Sequence, residues 1–451
     1  MAVWKYFARF FRSYYTIFIV IAVNISIFAN GMTMAWSSTV LVKLASGDDS
    51  PLGHPITFQQ IELIGSLLFF TAAFAPLLFM RSCETFGRKS TLVLCILPSV
   101  LGNGILVFAK TVEMYYLARI LNGITIGPIS GLAQSYLSEI IFQEKKRGSY
   151  LAINSPSVQA GVLFSYISGR YLPVPIFNAI ILVITLLSVV LITFGCPESP
   201  YFILETKGKK ASLNILNKLQ GVDVEKDLLE IEEALTKETQ TSIFDVFRSK
   251  ENMKPFVMAT MLLVLQQFSG IGILMAYSQQ IFMNSAGILP PEQCSIIVGI
   301  IQVLASSATT FTSTKFPRKS LLIFSLLGSG LFDFILGIYF LYAKDFIGFN
   351  WVPLVAMVSF VILYNSGLDP IPLVYLGEIF PSHLRSAGTS ACIITNWVLF
   401  SVSAYTFAKL DVGILFLAYS VSCLFGVFYV KFCITETKDK TLREIQVELE
   451  T

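Results

Sequence analysis

Twelve apolar runs, each about as long as a bilayer is thick, constrain this chain more than any other feature. They fall at 14–37, 59–80, 90–110, 114–138, 149–171 and 176–196, then at 255–284, 293–313, 320–343, 351–379, 387–408 and 411–433. A helix needs ~20 mostly apolar residues to cross the hydrocarbon core, where every backbone polar group must find a partner within the protein. Only 14% of the residues are charged, against about 25% in soluble domains, and the mean hydropathy is +0.70. The expected fold class is an all-α membrane protein of twelve transmembrane helices, with the lipid bilayer as its surroundings. The first run is too long for a signal peptide and lacks a small-residue exit, so it is read as a span.

Charge gives the chain a direction. Lys5, Arg9 and Arg12 precede the first run, and Arg81, Arg88 and Lys89 follow the second. Lys145, Lys146 and Arg147 follow the fourth, Lys315, Arg318 and Lys319 the eighth, and Arg385 the tenth, while Lys431, Lys438, Lys440 and Arg443 close the chain. The alternate loops hold only Lys43, Lys110, Arg170, Lys344 and Lys409. By the positive-inside rule both termini are cytoplasmic. The basic residues flank membrane spans, so the net charge of +3 gives no reason to expect nucleic acid as a partner. The seven cysteines form no CxxC pair, and His54 and His383 stand alone, so neither a disulfide framework nor a metal or other cofactor is expected.

A polar stretch, 198–254, separates six runs from six. Leu213, Leu216, Leu219, Leu228, Leu229, Ile231 and Leu235 recur there among lysines and glutamates, the pattern of short amphipathic helices. The division is 1–197 for the first six-helix half, 198–254 for a cytoplasmic helical linker, 255–433 for the second half and 434–451 for a tail. The halves repeat. Gly87-Arg88-Lys89-Ser90 is echoed by Pro317-Arg318-Lys319-Ser320, and Tyr136-Leu137-Ser138-Glu139-Ile140 by Tyr375-Leu376-Gly377-Glu378-Ile379. Cys196-Pro197-Glu198 is more loosely echoed by Thr435-Glu436. A parallel repeat of two six-span halves is the architecture of the major facilitator superfamily.

Within the seventh run, Gln266-Gln267-Phe268-Ser269-Gly270-Ile271-Gly272-Ile273-Leu274-Met275-Ala276-Tyr277 stands out. Adjacent glutamines are costly in lipid and should face protein or water. On a straight helix Gln266, Gly270, Ile273 and Tyr277 share a face. The two glycines would loosen the backbone and admit a ligand. A polar, breakable patch at mid-membrane suits a binding site, but amides and small residues also join membrane helices, and both readings stand at this point.

Several motifs together resemble the sugar porter family of that superfamily, over nearly the whole chain. Glu84-Thr85-Phe86-Gly87-Arg88-Lys89 resembles its D-R-x-G-R-K loop, and Arg119 to Gly127 its R-x-x-x-G-x-x-x-G. Pro197-Glu198-Ser199-Pro200-Tyr201-Phe202 is similar to P-E-S-P-R-[FYW], and Gln266 to Ile271 to Q-Q-x-S-G-I. Pro370-Ile371-Pro372 with Glu378-Ile379-Phe380-Pro381 resembles P-x-P-W…E-x-F-P, and Glu436-Thr437-Lys438 with Thr441-Leu442 resembles P-E-T-K-G-x-T-L. Gly31 to Thr39 and the short first outer loop are similar to the insect trehalose-transporter-like branch. Departures accompany these matches: Gly272 stands for the family Asn, Ser155 for a Gln in the fifth run, Leu373 for a Trp, Asp369 for a Gly, and Thr314 and Pro317 for Asp and Gly. Smaller or apolar residues at such places leave room for a larger substrate than glucose.

A neutral sugar needs donor–acceptor side chains and a flat apolar platform. The candidates for binding it are Gln266, Gln267, Asn365 and Asn396, with Tyr277 and Trp397 as platforms; Asn396-Trp397 match an Asn-Trp of the family. The alternative for Trp397 is ordinary packing. The resemblance implies that Glu84, Arg88, Glu139, Arg147, Glu198, Arg318, Glu378, Arg385 and Glu436 form a cytoplasmic gate of ion pairs that joins the halves in one state. Proton-coupled members carry an Asp in the first span, where Phe28 to Met34 has no acid here. Asp333 and Asp369 are carboxylates inside runs, which by default mark functional sites; for Asp369 the alternative is capping of backbone N–H groups at a helix break. No catalytic triad or nucleotide loop is present, so the chain reads as no enzyme. The expected function is a monomeric facilitative carrier of trehalose or hexose in the cell membrane, working by alternating access. The rival readings are a proton-coupled sugar or polyol carrier using Asp369, and a sugar sensor without turnover.

Overall fold

The computed structural model describes residues 2–46, 50–141, 144–219, 224–237, 250–283, 285, 289–312, 316–343, 347–380, 385–436 and 444. Among them there are helices and no strands. The first half runs α1 (Ala2–Ser46), α2 (Phe58–Phe86), α3 (Arg88–Val107), α4 (Val112–Ile140), α5 (Glu144–Leu151), α6 (Asn154–Tyr171) and α7 (Val174–Val190), which ends in a π-helical turn at Leu191–Gly195. Three short helices follow: α8 (Pro200–Lys207), α9 (Lys209–Leu219) and α10 (Val224–Lys237). They bury Leu216, Leu228 and Ile231 against one another, so the amphipathic pattern of the linker yields a small core of its own.

The second half runs α11 (Lys250–Gln267), α12 (Ile271–Met283), α13 (Pro291–Thr312), α14 (Arg318–Ile338), α15 (Val352–Gly367), α16 (Ile371–Ile379), α17 (Arg385–Lys409) and α18 (Val412–Cys433). Ten segments among the described residues are long and apolar enough to cross a membrane. The expected spans at 114–138 and 149–171 are helical too, as α4 and α6, but are not among the ten. Both turn polar side chains inward: Arg119, Asn122 and Thr125 of α4 and Gln159, Ser165 and Ser168 of α6 are buried. The run at 149–171 is also interrupted between α5 and α6 at Ala152–Ile153.

The repeat is visible in packing. α3 lies on α4 and α7, and α14 lies on α15 and α18; α1 lies on α6 as α11 lies on α17. The halves meet where α2 packs on α17, α6 on α13 and α1 on α12. Small residues allow the close approaches. A methyl group at Gly127 of α4 would collide with the Ala72 carbonyl of α2, so this part of the Arg119–Gly127 motif is a helix contact.

Two spans of the second half are interrupted. The segment Met253–Met283 breaks at 268–270, where Gly270 has φ +89°, a conformation that side chains other than glycine adopt only with strain. The segment Val352–Leu376 breaks at 368–370, a stretch that includes Pro370 and precedes Pro372. The straight-helix face expected for Gln266, Gly270, Ile273 and Tyr277 therefore does not form, and Tyr277 itself departs from helical geometry at φ −134°, ψ 21°. Nor do the glycines stand open for a ligand. A Cβ at Gly270 would lie 2.8 Å from the Tyr419 ring, and one at Gly272 would lie 2.9 Å from the Phe400 ring.

Candidate functional site

The two breaks are tied together by Gln266, the penultimate residue of α11. Its Nε2 donates to the Leu368 carbonyl at 2.8 Å and to the Asp369 carbonyl at 3.3 Å. A broken helix frees carbonyls that lipid cannot satisfy, and this amide takes two of them. Beside it, Gln267 Nε2 donates to Asn396 Oδ1 of α17 at 2.9 Å, while Gln267 Oε1 is buried without a partner. The adjacent amides thus serve two different elements.

Asp369 sits in the second break. Its recorded side-chain partner is Ser155 Oγ, which donates to Oδ2 at 3.3 Å. Capping of backbone N–H groups is not among its recorded bonds, and Pro370 and Pro372 have no N–H to offer. The bond runs from α6 in the first half to the break in the second, and it joins two of the positions at which this chain departs from the sugar porter pattern. Asp333, by contrast, is fully buried on α14 with neither oxygen partnered.

The remaining binding candidates are spread along the same interface. Asn365 is buried one turn before the break: its Nδ2 donates to Val361, its carbonyl accepts from Thr309 Oγ1, and its Oδ1 has no partner. Trp397 is half-buried, with its ring 5.9 Å from Phe400 and 6.5 Å from Phe69 of α2, so aromatic contact crosses between the halves. Tyr277 is enclosed, stacked on Phe407 at 4.7 Å with its hydroxyl toward Gly65, and stands apart from the Gln266 contacts.

Two residues that the sequence reading passed over share the signature of an unpaid polar cost. Gln159 lies one turn beyond Ser155 on α6 with Oε1 buried and unpartnered, and Gln302 on α13 is fully buried with neither amide atom partnered. The signal was available: an amide within an apolar run is rare and costly. Arg119 is fully buried, and its guanidinium donates to the Ile64 carbonyl, the Thr33 carbonyl and Ser37 Oγ at 2.7–3.1 Å, over the Trp36 ring at 5.1 Å.

At the basic end of the spans, the repeat becomes chemical. Glu198 accepts from the backbone N–H groups of Lys89 and Ser90 at 2.8 and 3.3 Å, at the start of α3. Glu436 accepts from those of Arg318 and Lys319 at 3.1 and 3.0 Å, at the start of α14. Each carboxylate sits on orphan donors at the positive end of a helix dipole. Tyr136 donates to the Pro197 carbonyl and Tyr375 to the Thr435 carbonyl, both at 2.6 Å. The loose echo of Pro197-Glu198 in Thr435-Glu436 is thus a repeated fold of the chain. Arg88 pairs with Glu139 at 3.1 Å, and Glu139 also accepts from Ser199 Oγ. These contacts join elements within one half. Glu84 and Arg147 are exposed, and the side chains of Glu378 and Arg385 lie outside the described residues.

At the opposite end, hydrogen bonds cross between the halves. Tyr166 of α6 donates to the Met275 carbonyl at 2.9 Å, the Gln279 N–H donates to Ser38 Oγ at 3.0 Å, and Arg170 pairs with Glu292 at 2.9 Å.

The two tied helix breaks lie within a packing pattern that repeats between the two parts of the chain. The family model described as sugar (and other) transporter matches residues 5–449. This chain belongs to that family. The family member is 28% identical over 448 residues to the facilitated trehalose transporter Tret1 of Polypedilum vanderplanki, an alignment spanning 96% of this chain and 88% of the relative. It is 30% identical to the sugar transporter ERD6-like 6 of Arabidopsis thaliana, over 87% of this chain and 82% of that one. Its fold matches the inward-open xylose transporter XylE of E. coli with a TM-score of 0.81 at 20% identity, covering 96% of this chain and 99% of that one. The protein is therefore a membrane sugar transporter of the major facilitator superfamily, and such proteins are not enzymes.

Proposed function

We propose that this sugar transporter is a twelve-span facilitative carrier for trehalose or a hexose, acting as a monomer in the cell membrane. Its units are residues 1–197, the cytoplasmic linker 198–254, residues 255–433 and the tail 434–451, with both termini in the cytoplasm. The carrying observation is the polar set at the two breaks, where Ser155, Asp369, Gln266, Gln267 and Asn396 bring side chains from both halves together. A site between two bodies that rock against each other faces one side of the membrane and then the other. Gln267, Asn396, Asn365 and Gln266 would hold hydroxyls, with Trp397 as a platform and Tyr277 closing the site on the outer side. The bonds from Tyr166, Gln279 and Arg170 favour a conformation sealed at the outer end, with the cytoplasmic end free to open.

Energy coupling separates this reading from its rival. In the family's proton-coupled pattern the first span carries an acid; here the recorded partners of Arg119 are neutral oxygens. That favours movement down the sugar gradient. Asp369, a half-buried carboxylate at the break, supports the second reading, a proton-coupled sugar or polyol carrier. The decisive test is uptake of labelled trehalose, glucose, fructose and a polyol into proteoliposomes, with and without an imposed proton gradient. Equilibration unaffected by the gradient is expected; accumulation that a protonophore abolishes would replace uniport with coupling. Specific binding without uptake of any of these solutes would instead identify a sensor. Within the site, Gln267→Ala is expected to weaken sugar affinity about 5- to 150-fold, the consequence of losing about 1–3 kcal/mol when a buried partner is left unpaired. Wild-type binding and uptake at normal surface level would remove Gln267 from the site.

A further inference from the structure

We propose that Asp369 makes this carrier selective for sugars bearing a protonated amine over their neutral counterparts. The inference rests on the transport reading above and deepens it by naming a substrate class. Three features of the break support it. First, Asp369 is half-buried where an element of each half meets it, whereas Asp333 is fully buried on α14. Second, its recorded side-chain partner is the neutral hydroxyl of Ser155, and it makes no ion pair among the described residues. Third, unpartnered acceptors surround the link in sequence: Oε1 of Gln267 beside Gln266, Oε1 of Gln159 one turn from Ser155, and Oδ1 of Asn365 one turn before Asp369.

An amide can present its nitrogen by turning over, but an ionised carboxylate offers acceptors only. The start of α16 (Ile371–Ile379) two residues later places the positive end of a short helix dipole nearby, which favours negative charge at Asp369 but supplies only about half a unit of compensation. An ammonium group on a ring of hydroxyls completes the balance. It brings a full positive charge and three donors to the carboxylate, while the ring hydroxyls engage the amides. Charge-assisted hydrogen bonds are roughly twice as strong as neutral ones, so the carboxylate discriminates between an amine and a hydroxyl at the same ring position. Ser155, holding the other oxygen from the first half, would orient the carboxylate.

The test compares uptake of labelled glucosamine, N-acetylglucosamine and glucose into proteoliposomes of the full chain, at a pH where the free amine is protonated. Glucosamine is expected to be taken up with an apparent affinity at least about tenfold higher than either neutral sugar. Acetylation removes the charge while keeping the ring, so N-acetylglucosamine should behave like glucose. Asp369→Asn should reduce the preference to within about twofold, and Asp369→Glu should retain most of it. Equal affinities in the wild type overturn the inference without any variant, even where the variants do not fold. A preference that survives Asp369→Asn also overturns it, as does glucose accumulation that both a protonophore and Asp369→Asn abolish, since that assigns the acid to a proton. Glucose uptake with no amine preference leaves the transport reading standing, whereas uptake of no sugar at all removes both.

Discussion

The two halves of the chain share packing and diverge in their central spans. In the first half α1 and α4 run unbroken over Ala2–Ser46 and Val112–Ile140. In the second half the spans at Met253–Met283 and Val352–Leu376 each break near the middle, and Gln266 joins the breaks. The first half contributes apposed surfaces, with Phe69 against Phe400 at 4.1 Å and Ser155 reaching Asp369. A repeat can thus be kept at the rim, where the helix caps are twinned, and abandoned at the centre, where one copy frees backbone groups and the other does not. Interrupted helices supply polar backbone without placing a charge in lipid, which suits the binding of a neutral or singly charged solute.

The sharpest way to break this comparison is to cut the tie between the two interruptions. Gln266→Leu leaves the Leu368 and Asp369 carbonyls without their amide donor, and a destabilisation of about 3 kcal/mol is expected from two such losses. It would be read as a lowered thermal midpoint in detergent together with lost uptake. An unchanged midpoint would mean that the second half does not depend on this tie.

A smaller effect tests the twinned caps. Glu198 accepts from Lys89 and Ser90 and also from the Ser90 hydroxyl and the Ser199 N–H, and Glu436 accepts from Arg318 and Lys319. Glu198→Ala and Glu436→Ala should each cost about 1–3 kcal/mol in the same thermal assay, because each strips two helix-start N–H groups of their acceptor, and no loss for either would remove these caps from the stability of the rims. Equal losses would show that the rims of the halves are energetically as well as geometrically alike.

Next comes the balance between states. Arg88→Ala removes a half-buried ion pair to Glu139, and Thr314 and Pro317 alter the matching loop of the second half. On the cytoplasmic gate that the family resemblance implies, Arg88→Ala is expected to shift the population inward more than Arg318→Ala does, by about two- to fivefold, through contacts made only in the closed state and not through the Glu139 pair within one half. Cysteine accessibility from each side measures the shift, and negligible shifts for both variants would leave these charges as determinants of topology alone.

The smallest effect belongs to the opposite end. The side chain of Arg170 is 47% exposed in its pair with Glu292, and exposed pairs contribute ~0–1 kcal/mol. Glu292→Gln should change transport by less than about fivefold, and a larger loss would make this contact, rather than the buried bonds of Tyr166, the main seal between the halves.

The apolar runs were legible because a bilayer imposes a length and an internal hydrogen-bonding rule that hydropathy registers directly. Most predicted ends of the spans agree with the helices to within a few residues: 320–343 became α14 and its π-helical turn through Ala343, and 411–433 became α18. The echoes Tyr136/Tyr375 and Glu198/Glu436 were legible because equivalent sequence meets equivalent backbone. Where the amides of Gln266 and Gln267 point was not, since neighbouring residues of one type were drawn to partners 102 and 129 positions away. The glycines at 270 and 272 suggest room for a ligand, but Tyr419 and Phe400 occupy that space, and no local pattern specifies which ring will arrive.

By itself, the sequence determined the membrane class, the number of apolar runs, the twofold repeat and the family, because each rests on composition or on order along the chain. Tertiary structure alone decided that Ser155 and Asp369, 214 residues apart, share a hydrogen bond, and that Gln159 and Gln302 are buried with unpartnered amide atoms. Hydropathy states what a residue costs in lipid, whereas its partner depends on which helices pack together, and that is settled only when the two halves meet.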